Sequence, residues 1–352
     1  MRASRTLATL SGFAARIIAW QRVSGRHDLP WQATRDPYAV WLSEVMLQQT
    51  QVATVIPYYR RFVERFPDIA TLAAADQDDV LAQWSGLGYY SRARNLHRAS
   101  QVVMREHEGR FPSDFNAIRA LPGVGRSTAA AICAFAFGER RAILDGNVKR
   151  VLARYFAVDG YPGHKLVEAQ LWRKAEHLVP EAEVVAYTQG LMDLGAGVCT
   201  RFEPQCAKCP LRRGCVARRR RLTDKLPTPR PRRALPHRET TMLVLQHAGE
   251  VLLEKRPAAG VWGGLWCFPE IPERGSVDEA CRMRFGAHVG SVDALPAVEH
   301  GFTHFSLTIR PQRVHVTRLD PRARVPGTIW LVLEDARSAA IPAPVRRILL
   351  SL

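Results

Sequence analysis

Residues 199–215 hold four of the chain's seven cysteines in the pattern C-x6-C-x2-C-x5-C. Cys199, Cys206, Cys209 and Cys215 place four soft thiolates on one short loop, a donor set for a tetrahedral zinc ion or a four-iron cluster. Softness alone does not separate the two. Either centre would pin a loop that also carries Arg201, Lys208, Arg212 and Arg213, basic side chains suited to phosphate. Cys133, Cys267 and Cys281 lie singly and read as core residues. This distribution suits a reducing cytoplasm better than a secreted disulfide framework.

Two acids come next. In "SEVMLQQT" Glu44, Gln48 and Gln51 fall at i, i+4 and i+7, on one face of an expected helix bordering its apolar stripe. A carboxyl at a buried edge keeps its proton and suits a general acid. The competing reading is a surface glutamate with two glutamine neighbours. In "ILDGNVKRVLARYF" Asp145 stands where an apolar stretch meets a helix. It reads as an N-cap, or as an ionised acid near a developing cation, with Lys149, Arg150 and Arg154 facing phosphate. "LPGVGRSTAAAI" crowds Pro122, Gly123, Val124 and Gly125 before a helix opened by Arg126, Ser127 and Thr128. Free amides, a positive helix end and an adjacent arginine make a seat for an anion; an ordinary turn is the alternative. "GLGYYSRARN" joins an aromatic pair to Arg92 and Arg94, which fits wedges and phosphate contacts or, more plainly, core aromatics.

The elements that must position these residues follow from length and patterning. With 352 residues, 47% hydrophobic, the chain can form two domains. Fifty Lys and Arg against 33 Asp and Glu leave +17, which favours a polyanionic partner such as nucleic acid. No stretch approaches the ~20 apolar residues that span a bilayer. Acids are absent before Asp28, but Leu7, Leu10, Phe13, Ile17 and Ile18 keep helical spacing, so a packed first helix is preferred to a presequence. Residues 8–198 read as helix after helix, with Pro57 dividing "VWLSEVMLQQTQVATVIPYYRRFVERF" into two. Residues 216–238 combine a four-arginine run with four prolines and read as a basic, extended linker. Beyond it the pattern is mixed α and β. Strands are expected in "TTMLVLQHAGEVLLEKRP", with a turn at Ala248-Gly249, and in "FTHFSLTIRPQRVHV" and "TIWLVLED". Helices are expected from Val277 to Phe285 and in "APVRRILLSL".

Taken together, "LPWQ", "VWLSEVMLQQTQVATVIPYY", "GLGYYSRARN", "LPGVGRSTA", "ILDGNVKRVLAR", "MDLGAG" and the four-cysteine loop resemble the MutY family of adenine DNA glycosylases. That family sits in the helix-hairpin-helix superfamily of base-excision enzymes, and the resemblance runs from about residue 8 to the end. It implies a mainly α helix-hairpin-helix glycosylase domain with an iron–sulfur cluster loop over residues 1–216, and a linker over 217–238. An α+β Nudix-like domain that recognises 8-oxoguanine is implied over 239–352. It also implies one [4Fe-4S] cluster on the four cysteines, a monomer in a bacterial cytoplasm, and duplex DNA with A:8-oxoguanine or A:G mispairs as partner.

Residue by residue, the resemblance makes Glu44 the catalytic acid, Asp145 the stabiliser of an oxocarbenium-like sugar and Asn147 its polar neighbour. Pro122 to Gly125, with Ser127 and Lys149, become DNA contacts, and Gln49 and Tyr89 fill and wedge the base stack. Trp31, Gln189 and Asp193 line an adenine pocket. Ser127 stands where strand-cutting relatives resemble "GVGRKTA", and a hydroxyl cannot form a Schiff base with a sugar, so the enzyme is expected to be monofunctional. "GVWGGLWCFPE" resembles the opening loop of the Nudix fold, whereas "DEACRMRFGAH" lacks the R-E-x-x-E-E metal box, which argues against pyrophosphate hydrolysis. Phe302-Thr303-His304 stands where the family has Phe-Ser-His against 8-oxoguanine. The alternatives are a bifunctional endonuclease III-like glycosylase/lyase on oxidised bases, a non-catalytic DNA-damage sensor and a free-nucleotide hydrolase.

Overall fold

The computed structural model describes residues 2–231, 234–272, 275–320 and 325–352, with the side chains of residues 2–11 outside that description. Leu7, Leu10, Arg232 and Arg233 therefore lie outside the described residues or side chains. The chain divides into two compact units, residues 1–73 with 98–232, and residues 74–97 with 233–352. Among the described residues twelve α-helices come first: α1 (Arg2–Ser24), α2 (Pro37–Leu47), α3 (Val52–Arg65), α4 (Ile69–Ala74), α5 (Gln77–Trp84) and α6 (Ser91–Glu106). They continue with α7 (Phe115–Ala120), α8 (Arg126–Phe137), α9 (Gly146–Phe156), α10 (Lys165–Leu178), α11 (Val184–Asp193) and the short α12 (Val216–Arg219).

Helical periodicity explains most of these elements. Val55, Tyr59 and Phe62 of α3 repeat at i, i+4 and i+7 and are buried. The alanine run of α8 is buried along Ala129–Ala134, small side chains letting neighbouring helices approach closely. Ile17, Val148, Leu152, Tyr155 and Leu191 share one core of the first unit.

Two expectations are corrected here. Pro57 does not divide the segment; it lies inside α3, and the break falls at Gln48–Gln51. Pro57 sits early in the helix, where losing one backbone donor disturbs only its first turns. Because α2 ends at Leu47, Gln48 and Gln51 do not share a helical face with Glu44. The basic linker is also less extended than its composition suggests. Val216–Arg219 is helical with Ala217 buried, and Leu226 is buried where its carbonyl accepts from Arg154 Nε at 2.8 Å.

The second unit carries β1 (His237–His247), β2 (Glu250–Lys255), β3 (Trp266–Cys267), β4 (Glu270–Ile271), β5 (Ala287–Ala294), β6 (Val298–Gly301), β7 (Ser306–Leu319) and β8 (Thr328–Val332). The main path of the eight-stranded sheet runs β3-β2-β1-β7-β5. Strands β1 and β7 are parallel along their length, and the remaining pairs are antiparallel. Ala248 and Gly249 both take positive φ, 47° and 84°, the twist a two-residue hairpin turn needs. Helix α13 (Val277–Phe285) packs Cys281 and Phe285 onto Leu243, Leu245 and Val316. Helices α14 (Leu333–Ser338) and α15 (Ala343–Leu350) close the chain. Cys133, Cys267 and Cys281 are buried, as core residues should be. No described helix is long and apolar enough to cross a membrane.

Candidate active site and cysteine loop

Glu44 lies in the last turns of α2 and lines a cavity of about 640 Å³ within the first unit, a volume in the range of small-molecule sites. Burial pushes its carboxyl up to about 8, with the charge of Asp145 adding to the shift. The two acids therefore lie within electrostatic reach. Asp145 caps α9, its Oδ1 accepting from the Val148 amide at 2.7 Å and its Oδ2 from Asn147 Nδ2 at 3.4 Å. Burial raises its carboxyl, opposed by the Val148 amide, Arg150 and Asn147. Asn147 is fixed in turn, its Oδ1 accepting from Arg150 Nη2 at 2.7 Å. A π-helical turn over Leu194–Val198 presses on the same place. A Cβ on Gly195 would meet Asn147 Cβ at 2.5 Å, so "MDLGAG" needs glycine there to let the two backbones touch.

The start of α8 holds these acids in one frame. Gln48 Nε2 donates to Thr128 Oγ1 at 3.3 Å, tying the end of α2 to α8. The Leu144 amide donates to Ser127 Oγ at 2.9 Å, tying α8 to the residue beside Asp145. The oxygen of Ser127, expected on sequence grounds to contact DNA, thus accepts a bond inside the protein. Arg126 is likewise not an open anion contact: it stacks on Trp172, 3.8 Å from the ring centroid, and pairs with Glu176. What remains at the hairpin is backbone, with Gly123 and Gly125 exposed and α8 opening without an acidic residue in its first turn. Lys149 pairs with Glu168 at 2.6 Å.

Of the residues expected at a base pocket, Trp31 and Gln189 line the Glu44 cavity, and Asp193 does not. Trp31 is held edge-on to Tyr59, centroids 5.3 Å apart. Arg26 is a lining residue that sequence reasoning missed; its only local signal is its place in "SGRHDLPWQ", between the first helix and the tryptophan. Gln49 and Tyr89 share a strained backbone, with φ of 58° and 48°. Such angles cost a non-glycine residue roughly 1–3 kcal/mol and collect where function requires them.

The four loop thiols surround one cavity together with Val151, Arg154, Tyr155 and Leu194. Among the described residues no group of three or more His, Cys, Asp or Glu side chains is placed to hold a metal ion. Burial above all, with the neighbouring thiols adding, pushes Cys209 up to about 12; burial also raises Cys215. Thiolates this crowded need a compensating positive charge. Arg154 and Arg150, expected to face phosphate, instead face this loop. Arg154 is 2% exposed and donates to Thr200 O at 2.6 Å, Arg201 O at 3.1 Å and Cys199 Sγ at 3.4 Å. Arg150 donates to the carbonyls of Cys199 and Gly195, each at 2.7 Å.

Within the second unit, Phe302, Thr303 and His304 follow β6 and line a cavity of about 640 Å³ with Tyr89, Trp262 and His300. The rings form a packed set: Trp262–Phe302 centroids lie 5.6 Å apart, His300–Phe302 4.6 Å and Phe302–Phe305 4.4 Å, the last stacked. Burial and the charge of Arg347 lower His300 below the usual histidine range. Two acids of this unit pair with arginines, Glu254 with Arg284 and Glu270 with Arg256, at 2.9 and 3.1 Å.

A family model described as HhH-GPD superfamily base excision DNA repair protein matches residues 42–177, and one described as NUDIX domain matches residues 240–351. The two units thus carry a helix-hairpin-helix base-excision fold and a Nudix-like α+β fold. Over 96% of its length the chain is 35% identical to the adenine DNA glycosylase of Buchnera aphidicola subsp. Acyrthosiphon pisum (strain APS), covering 96% of that protein. It is 34% identical to the Homo sapiens adenine DNA glycosylase across 98% of this chain and 74% of that one. Among solved structures, a thermostable thymine-DNA glycosylase is similar at a TM-score of 0.56 and 31% identity, over 61% of this chain and 99% of that chain. The chain belongs to the adenine DNA glycosylase family.

Proposed function

We propose that this enzyme is a monofunctional glycosylase that hydrolyses the N-glycosidic bond of adenine mispaired with 8-oxoguanine or guanine, working in base excision repair on duplex DNA in the bacterial cytoplasm. Residues 1–216 would carry the chemistry and 239–352 the recognition of the opposite base. The observation that carries the reading is Glu44, a carboxyl on the wall of a cavity of about 640 Å³ that is pushed up to about 8 by burial.

A target base must leave the stack to reach such a cavity, at a cost of a few kcal/mol that is lower at a mismatch. Pro122 to Gly125 suit a phosphate through exposed amides, and Gln49 and Tyr89 suit the space vacated in the stack. Glu44 donates its proton to a ring nitrogen of the flipped adenine, and the bond from sugar carbon to base nitrogen breaks with its electron pair leaving on the base. The deoxyribose becomes oxocarbenium-like, and a cation forming beside Asp145 favours the carboxylate that steadies it. Water adds to the sugar carbon, and Glu44, now ionised, takes up the released proton. Without an amine at position 127, no Schiff base with the sugar forms there.

The aromatic cavity at Phe302, Thr303 and His304 supports recognition of an oxidised purine by stacking and hydrogen bonding. The four thiols line one cavity and are the residues that would hold a [4Fe-4S] cluster. A cluster bound there would cross-link the loop, and the hydrolysis itself calls for no electron transfer.

The test is single-turnover release of adenine from a duplex carrying A opposite 8-oxoguanine. Glu44→Gln should lower the rate constant by about 10²–10⁴-fold with DNA affinity retained. An undiminished rate overturns the reading.

A further inference from the structure

The arginine run Arg218–Arg221 follows directly on the cysteine loop, and its backbone is folded. The Arg219, Arg220 and Arg221 amides donate to the carbonyls of Cys215, Val216 and Arg218 at 3.2, 2.9 and 3.2 Å. The Leu222 amide closes the turn on Ala217 O at 2.8 Å, and the Ala217 side chain is buried. Beyond it Leu226 is buried with its carbonyl held by Arg154, and Thr228 Oγ1 donates to Asp159 Oδ1 at 3.0 Å. The backbone of the run is thus pinned on both sides. Its side chains stand in solvent: all four arginines are exposed, and none forms an ion pair with a described acid. Arg218 Nη1 reaches back to Arg212 O at 3.4 Å, which sets the run beside a basic cavity of about 450 Å³ lined by Arg16, Lys208, Arg212 and Arg213.

We infer that Arg218–Arg221 is a preformed contact for the phosphate backbone of duplex DNA, continuing the surface of the basic cavity beside it. The inference rests on the duplex-DNA reading given above, and it adds a contact outside the Glu44 cavity, to which the run supplies no lining residue. An arginine run in an unordered linker usually stays solvated, because binding must first freeze the backbone. Here burial of Ala217 and Leu226 has already frozen it, so a phosphate has only side chains left to order. Four like charges on one turn repel one another, and a polyanion relieves that repulsion. Guanidinium forks match phosphate oxygens in pairs. Such contacts carry no base information, so the run fixes the protein on the duplex without choosing a sequence.

The test measures the affinity of the full chain for an undamaged duplex by fluorescence anisotropy between about 50 and 200 mM salt, against the variant Arg219→Gln, Arg220→Gln, Arg221→Gln. Each phosphate contact contributes about 0.9 to the slope of log affinity against log salt. The variant's slope should therefore be flatter by about 2–3, and its binding at the lowest salt about tenfold or more weaker. The same three positions changed to Lys keep the charge and should keep the slope within about 0.5. An unchanged slope in the Gln variant overturns the proposal. So does an equal flattening by Lys, since that would trace the loss to the turn rather than to charge. An unchanged DNA slope with weakened binding to vesicles of anionic phospholipid would assign the run to a membrane surface and overturns it too. If the Gln variant lacks a cooperative melting transition, Arg220→Gln alone decides, with an expected flattening of about 1. Absence of any salt-dependent affinity for duplex DNA in the unsubstituted chain would strike the duplex-DNA reading instead, so the two failures are separable.

Discussion

Two cavities of equal size, about 640 Å³ each, are lined in opposite ways. The one in the helical unit is set with groups whose charge or polarity is imposed by partners elsewhere: Glu44 by burial and Asp145, Arg26 and Gln189 by Asp193. The one in the Nudix-like unit is set with ring faces, Trp262, His300, Phe302 and Tyr89, held mainly by one another. Bond breaking needs a proton held at the right free energy, which is a matter of field and desolvation. Telling one flat base from another needs faces to stack on and one or two polar groups at the rim. The difference between the linings is the difference between chemistry and discrimination, and substitutions in each should separate the two.

After Glu44→Gln, the largest effect is expected at Asp145. Asp145→Asn keeps a good N-cap, so the fold should lose no more than about 1 kcal/mol, while the charge that steadies the sugar is gone. The single-turnover rate should fall by about 10²–10³-fold, and by the same factor opposite 8-oxoguanine and opposite guanine. A variant that changed the ratio between the two substrates would show that the helical cavity also discriminates, and the division drawn here would fail.

The pH profile sharpens the same point. Glu44 acts in its protonated form, so the rate should fall about tenfold per pH unit above about 8, equally on both substrates. Stability carries the matching sign. The folded carboxyl titrates at about 8 rather than at its ordinary 4.5, so the native state binds the extra proton between those values. Stability therefore declines as pH rises through that window, and the full cost is present above about 8. Glu44→Gln removes the cost, and should raise the melting temperature at pH 8 and leave it nearly unchanged near pH 4.

Local spacing made much of this legible. The thiol loop, the Asp145 cap, the Ala248-Gly249 turn and the helical and strand periods each depend on residues a few places apart. The partners of the charged side chains do not. Arg126, Arg150 and Arg154 looked phosphate-facing because their number and sequence neighbours say nothing of Glu176, Cys199 or Leu226, 50, 49 and 72 residues away. The ties that hold the site, Gln48 to Thr128 and Arg26 to Asp193, span 80 and 167 residues. Pro57 misled for a related reason: a proline breaks a helix only where the lost hydrogen bond matters, and the chain turns instead at Gln48–Gln51.

The smallest effect, and the finest probe of the comparison, belongs to Thr303. It is exposed on the rim of the aromatic cavity and makes no hydrogen bond to any described residue, while Phe302 beside it is stacked on Phe305. Thr303→Ala should thus leave stability within about 0.5 kcal/mol and leave the stacking faces in place. It removes one hydroxyl from the rim, worth about 1 kcal/mol when it bonds a partner. The preference for adenine opposite 8-oxoguanine over adenine opposite guanine should therefore shrink by about threefold to tenfold, through the binding step, with the rate constant for bond cleavage at saturating enzyme unchanged. Equal loss on both substrates would mean that the rim hydroxyl serves general DNA binding, and a loss in the cleavage step would mean that the ring-lined cavity reaches into the chemistry after all.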